Sequence, residues 1–155
     1  MLTDSHCHLG SHKFPEDELG PLIDRARDAG VTRMMTLATN LEDIPRNLSI
    51  AEKFPEVYAC VGIHPCDVHE TPDDYLEALQ EFATHHRVAA IGETGLDYFH
   101  PAPTGWTEEG YHQRQRNFLR QHFALAVETG QNVVIHTRDR KGDASFSDAL
   151  AIYKP

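Results

Sequence analysis

The sequence predicts an α/β fold built on a parallel sheet, and three observations carry that expectation. Short apolar runs alternate with longer amphipathic segments five times along 155 residues. The runs are apolar along nearly their whole length, as strands covered on both faces are. No hairpin signal joins consecutive runs, so each strand should reach the next through a helix.

The elements follow in order. Residues 1–9 give the first strand. Residues 15–29 carry Leu19, Leu22, Ile23 and Ala26 at helical spacing, and Gly30 stands where a helix C-cap is expected. Residues 31–38 form the second strand. A helix over 42–54 places Ile44, Leu48 and Ala51 on one face. Residues 57–63 are almost unbroken apolar strand. A helix over 72–84 should bury Tyr75, Leu76, Leu79 and Phe82. The fourth strand covers 88–92 and a polar loop follows it. A long helix runs over 108–129 and stops at Gly130. Residues 132–135 form the fifth strand and 145–153 the fifth helix. Periodicity leaves a doubly wound sheet and a barrel both open. The first loop has no GxGxxG, so dinucleotide binding has no support.

Composition narrows the class. Apolar residues make up 40% of the chain and charged residues 25%, which fits one soluble domain. No stretch of about 18 apolar residues exists, so no membrane span is expected. The N-terminus lacks a basic leader and an apolar core, and three cysteines fit no paired zinc spacing. A reduced cytoplasm is the expected setting. The net formal charge of −10 disfavours a broad basic surface for nucleic acid. Divalent cations could supply positive charge locally for a phosphodiester substrate.

The chemistry collects at the strand ends. His6-Cys7-His8 closes the first strand, and residues two apart point the same way, so both imidazoles project together while Cys7 faces away. The third strand ends at His64-Pro65, the fourth runs into Glu93, and the fifth ends at His136. Four of five strands thus close on His or Glu, at the edge where α/β barrels assemble their sites. Glu93, directly after an apolar run, is costly to desolvate unless a cation or hydrogen bonds compensate. The nitrogen and oxygen donors suit Zn, Mn, Ni or a Mg-type ion with open water positions. Cys7 reads as a small core residue, and Cys66 has no partner at metal spacing.

Four ordered motifs carry a family resemblance: Thr3-Asp4-Ser5-His6-Cys7-His8-Leu9, Gly62-Ile63-His64-Pro65, Gly92-Glu93-Thr94-Gly95-Leu96-Asp97-Tyr98 and Ile135-His136-Thr137-Arg138-Asp139. Together they resemble the successive motifs of TatD-related hydrolases, and Gln121 before Leu125-Ala126 is in keeping with them. The resemblance spans essentially the whole chain. It implies a TIM (β/α)8 barrel of the metal-dependent hydrolase type, with about the first five βα units present and residues 1–155 forming the N-terminal part of one domain. It implies one or two divalent ions (Mg, Mn or Zn), with His6 and His8 on the first metal, Glu93 shared, and His136 on the second. His64 and Arg138 would stand beside the metals as candidate groups for the scissile phosphate, with phosphate binding and proton transfer both open for His64, and Asp4 would support the histidine pair. The activity it implies is hydrolysis of phosphodiesters in DNA, often by an exonuclease route.

The family pattern continues with a further metal-binding His and a late Asp that nothing in these residues supplies. A complete barrel needs eight units and about 250 residues. The expectation is therefore a fragment that self-associates and turns over poorly. The segment His100-Pro101-Ala102-Pro103-Thr104-Gly105-Trp106 is a loop that could reshape the cleft. Asp97 reads as a supporting acid. Rival readings are an amidohydrolase-type C–N or C–O hydrolase and a non-catalytic metal-binding fragment.

Overall fold

The structure, a computed structural model, describes residues 1–154. The strands are β1 (Leu2–Cys7), β2 (Val31–Leu37), β3 (Val57–Val61), β4 (Val88–Tyr98) and β5 (Asn132–Asp139). The helices are α1 (Glu16–Asp28), α2 (Ile44–Lys53), α3 (Tyr75–Ala83), α4 (Glu108–Thr129) and α5 (Ala144–Tyr153). All the strand pairs are parallel, and the spatial order is β1-β2-β3-β4-β5.

That order settles what periodicity left open. A doubly wound sheet reverses direction at a switch point, so its strands are not in chain order. Here each strand lies beside its predecessor, and repeated right-handed crossovers put every helix on one face. The result is a five-strand half-barrel with helices outside.

The two faces bury different residues. On the helix side, Met34, Ala59, Val61 and Ile91 pack against Leu19, Ile23, Ile44, Leu48, Leu79 and Phe118. Full burial of one such aliphatic side chain stabilises by about 1.5–3 kcal/mol. On the inner face, Leu37, Cys60 and Ala90 form a smaller cluster with Met35 and Val134. A third cluster of Leu96, Leu119 and Ala149 fastens α4 and α5 to the far end of β4.

Helix ends agree with the punctuation. Thr107 Oγ1 accepts the Gly110 N–H at the start of α4, and Gly130 closes it in the left-handed conformation, φ 68°. In α3 the fully buried residues are Tyr75, Leu79 and Ala83, whereas Leu76 and Phe82 are half-buried. No helix among the described residues is long and apolar enough to cross a membrane.

Two expected boundaries need correction. β4 does not give way to a loop after Gly92, and β5 does not stop at Ile135. Residues 94–98 pair with 135–139, so both strands run on through the motifs. Glu, Gly and Asp are poor strand formers, which hides the extension from a propensity reading. The pairing beats the propensity because Gly95 lets the two backbones close up.

Both edges of the sheet are exposed. Leu2 on β1 and Ile135 on β5 face solvent, as do Phe146, Leu150 and Tyr153 on α5.

Candidate metal centre

β1 delivers the first two donors. Cys7 pairs with Thr36, and Thr36 faces the helices, where its hydroxyl meets Asn47 of α2 at 2.6 Å. His6 and His8, one residue either side, therefore address the inner face. The Leu9 N–H donates to Thr36 Oγ1 at 2.9 Å, which fixes the chain just beyond His8.

Glu93 reaches the same face by a break in register. Ile91 pairs with Val133 but Thr94 pairs with Ile135, so β4 carries one residue more than β5 between them. Ala90 belongs to the inner cluster, and simple alternation from it would turn Glu93 toward the helices. The extra residue resets the alternation, and Glu93, Gly95 and Asp97 then share the inner face with His136. Bulges commonly re-aim a side chain in this way. Two glycines permit the close approach: a Cβ on Gly95 would stand 2.0 Å from the His136 carbonyl oxygen, and one on Gly92 2.5 Å from that of Val134.

Glu93 is 5% exposed, and its carboxylate stands between two groups of imidazoles. Its Oε2 is 3.3 Å from His6 Nε2 and 3.8 Å from His8 Nε2. Its Oε1 is 3.2 Å from His136 Nδ1. Burial would raise the Glu93 pKa, but the hydrogen bond from His136 and the fields of His64 and His6 outweigh it, so the pKa is lowered and the group stays ionised.

Tautomers follow from what each ring's other nitrogen does. His8 Nδ1–H donates to the Leu37 carbonyl at 3.1 Å, leaving the Nε2 lone pair aimed at Glu93. His136 Nε2–H donates to Asp97 Oδ2 at 3.0 Å; the protonated ring also donates from Nδ1 to Glu93 Oε1 at 3.2 Å, and only the neutral ring leaves the Nδ1 lone pair for a cation. Burial would lower the His136 pKa, yet the Glu93 and Asp97 carboxylates reverse this and raise it. The pocket thus favours positive charge at His136 Nδ1, a place a cation could take. His6, His8, Glu93 and His136 fit a divalent ion in donor type and direction.

His64 differs. Its Nδ1 accepts the Cys66 backbone N–H at 3.1 Å, so the neutral ring carries its proton on Nε2, 3.3 Å from His136 Nδ1. Burial and the neighbouring His136 push its pKa down to about 4, which keeps it neutral at pH 7. His64 meets Glu93 and His136 closely enough to be a third ligand. Its tautomer makes it a hydrogen-bond donor instead.

Other expected residues fall nearby or at the rim. Asp97 is fully buried and orients His136. Asp4 Oδ1 accepts the His6 backbone N–H at 3.1 Å, so its support passes through the main chain and not the ring. Arg138 lies on the His136 face of β5, exposed, with its guanidinium 4.1 Å from the centre of the Phe99 ring. The Cys7 thiol donates to the Met35 carbonyl and packs on the helix-side core, as expected of a small core residue. The loop over residues 100–106 starts at His100 beside Asp97, and its far end lays Trp106 against Tyr111 and Arg114.

Two neighbours were not expected. His100 and Cys66 meet beside Asp97, with Cys66 Sγ 3.7 Å from His100 Nδ1. Neither spacing is informative in sequence. The inner-face alternation of Glu93, Gly95 and Asp97 could have been read only by extending the fourth strand past Gly92.

The comparisons agree with this geometry. The family profile described as TatD related DNase matches residues 3–155. The uncharacterized metal-dependent hydrolase YabD of Bacillus subtilis is 32% identical over 92% of this chain and 53% of its own length. The uncharacterized metal-dependent hydrolase YjjV of Escherichia coli K12 is 34% identical over 88% of this chain and 51% of its own. The crystal structure of YjjV, a TatD homologue, superposes with a TM-score of 0.76 at 31% identity, covering 90% of this chain and 51% of that one. A TatD-family hydrolase from Entamoeba histolytica shares the fold with a TM-score of 0.78 at 20% identity, over 99% of this chain and 53% of that one. The chain spans about half the length of the curated relatives it matches. Strand order, inner-face histidines and profile agree, and the chain belongs to the TatD-related family.

Proposed function

We propose that these residues carry part of a divalent-metal-dependent hydrolase site that cleaves phosphodiester bonds in DNA. The observation that carries the reading is the two-sided Glu93 carboxylate, with His6 and His8 on one oxygen and His136 on the other. Mg, Mn and Zn all suit the nitrogen and oxygen set. A divalent ion held by His6, His8, Glu93 and His136 would supply activation of water and neutralisation of phosphoryl charge.

The chain's own groups do the rest. Glu93 holds its ionised carboxylate between the imidazoles, and Asp97 keeps the His136 proton on Nε2. His64, neutral with its proton on Nε2, donates a hydrogen bond to a non-bridging phosphate oxygen. Arg138, presented at the rim over Phe99, swings to give a bidentate contact to phosphate. A cleft of about 840 Å³ opens beside His8, lined by Lys13 and Arg46 and also by Glu42 and Asp43, so its charges are mixed.

The overall charge of −10 favours a second reading, hydrolysis of C–N or C–O bonds in a small substrate. Three free thiols suit a reducing compartment such as the cytoplasm. The relatives are about twice as long as the matched stretch, and turnover is expected of a full-length form, with these 155 residues alone self-associating and nearly inactive.

The test has two parts. Oligonucleotides, simple amides and esters are offered to a full-length form with each metal. Calorimetric metal titration then compares His6→Ala and Glu93→Ala with His85→Ala. Metal-dependent cleavage of DNA alone, with binding lost only in the first two variants, is the expected result. Cleavage of amides but not DNA establishes the second reading, and equal binding by all three variants removes the metal centre.

A further inference from the structure

We propose a second cation site, for a zinc-like ion, made by Cys66, Asp97 and His100 at the edge of the metal centre. The Cys66 Sγ, an Asp97 carboxylate oxygen and His100 Nδ1 all lie within 4.8 Å of one another. Cys66 Sγ is 3.7 Å from His100 Nδ1, and that nitrogen is 3.1 Å from each Asp97 oxygen. Bonds of about 2.0–2.3 Å in a tetrahedron put ligands roughly 3.3–3.7 Å apart. Two of the three donor–donor separations therefore already lie close to that spacing, and the third, from Cys66 to Asp97, is within 4.8 Å.

The geometry does not suit a nucleophilic thiol. A relay needs its histidine to face the thiol with one nitrogen and the carboxylate with the other. Here both address the same atom, His100 Nδ1. What suits a cation is that one donor atom from each of the three side chains lies within 4.8 Å of the other two. One sulfur, one nitrogen and one oxygen form a borderline-soft set that selects Zn over Mg. It differs in kind from the all-nitrogen-and-oxygen set around Glu93.

A second, independent feature is the scaffold that holds the donors. Gln115 of α4 is fully buried, and its amide is spent on the two segments that carry Cys66 and Asp97. Its Oε1 accepts the Asp97 N–H at 3.0 Å, while its Nε2 donates to the carbonyls of Pro65 at 3.2 Å and Asp97 at 3.3 Å. Tyr111 donates a further bond to the Pro65 carbonyl at 3.1 Å. The Cys66 backbone is pinned on both sides, its N–H to His64 and its carbonyl to His69. The His100 N–H donates to Asp97 Oδ1 at 2.9 Å, which turns the residue back toward the thiol. Preorganisation of this kind is what ligand sets need. Asp97 also orients His136, so an ion at this edge touches the carboxylate on which the main cluster leans.

Cobalt reports the site without any enzyme assay. Co²⁺ added to the reduced chain should give sulfur-to-metal charge-transfer absorption in the near ultraviolet, and Zn²⁺ should displace it. The band should persist in Cys7→Ser and in His6→Ala, which separates this site from the Glu93 centre. It should vanish in Cys66→Ser. His100→Ala, at a half-exposed side chain that folding tolerates, should weaken Co²⁺ binding by at least about tenfold, since even supporting hydrogen bonds control 10–100-fold. No band in the wild type, or a band that survives Cys66→Ser, overturns the site. A band lost in His6→Ala would place the thiolate in the main cluster and overturn it as a separate site.

Discussion

Acid should unfold this chain through one buried histidine, His122 of α4. The ring is fully buried, its Nδ1–H donates to the Phe118 carbonyl at 2.7 Å, and its Nε2 accepts the Ile63 N–H at 3.0 Å. A second proton would face Nε2–H against Ile63 N–H, donor against donor, in a dry pocket beside the Tyr75 and Phe118 rings. Burial pushes the pKa from 6.5 down to about 4. The unfolded chain therefore takes up the proton first as pH falls. Stability from this group is full above the unfolded value, about 6.5, and is lost as pH falls toward about 4. At about 1.4 kcal/mol per pKa unit, the interval amounts to roughly 3 kcal/mol. That is a large share of a stability of about 5–15 kcal/mol. The assay is urea unfolding across this pH range for the wild type and for His122→Gln, whose amide oxygen can accept the Ile63 N–H without titrating. The variant should lose roughly 3 kcal/mol less than the wild type between the two limits. Parallel curves would refute the assignment of His122 as a neutral, acceptor-carrying ring. Because Ile63 precedes His64, the same acidification should loosen the donor at the metal centre.

Three further expectations follow from particular contacts. Gly95→Ala places a Cβ 2.0 Å from the His136 carbonyl oxygen at a backbone φ of 143°, so it should cost about 3 kcal/mol or more and abolish metal binding; a normal melting curve with intact binding would contradict the close approach. Asp97→Asn keeps the shape but removes the charge that holds the His136 tautomer, and calorimetry should show metal affinity at the Glu93 centre reduced by about 10–100-fold, with unchanged affinity counting against the orienting role. Self-association should be visible by sedimentation and should fall on replacing Phe146 and Leu150 with Glu, because both lie on the exposed apolar face of α5 beside the open β5 edge; a monomeric wild type would show that this face is tolerated in water.

The sequence by itself determined the βα repeat, the helix stops at Gly30 and Gly130, and which residues could be ligands. Each of these depends on local spacing or on residue chemistry, and both are written along the chain. The spacing of His6-Cys7-His8 also suggested that the imidazoles share a face, and although β1 slips in register between Asp4 and Cys7, the pairing of Cys7 with Thr36 keeps the two rings on one side. The tertiary structure decided the rest. Strand order, which distinguishes a half-barrel from a doubly wound sheet, depends on which strands pair and leaves no mark on periodicity. Alternation from Ala90 points Glu93 outward, and only the register break against β5, made possible by the bare backbones of Gly92 and Gly95, turns it inward. The role of His64 was likewise closed to the sequence, because a ring's tautomer is set by its neighbours. The Cys66 backbone N–H occupies Nδ1, and that single bond leaves the neutral His64 ring a donor at Nε2. The meeting of Cys66 with His100 depends on Gln115, a helix residue that binds two separate segments at once, and no spacing along one chain encodes such a convergence.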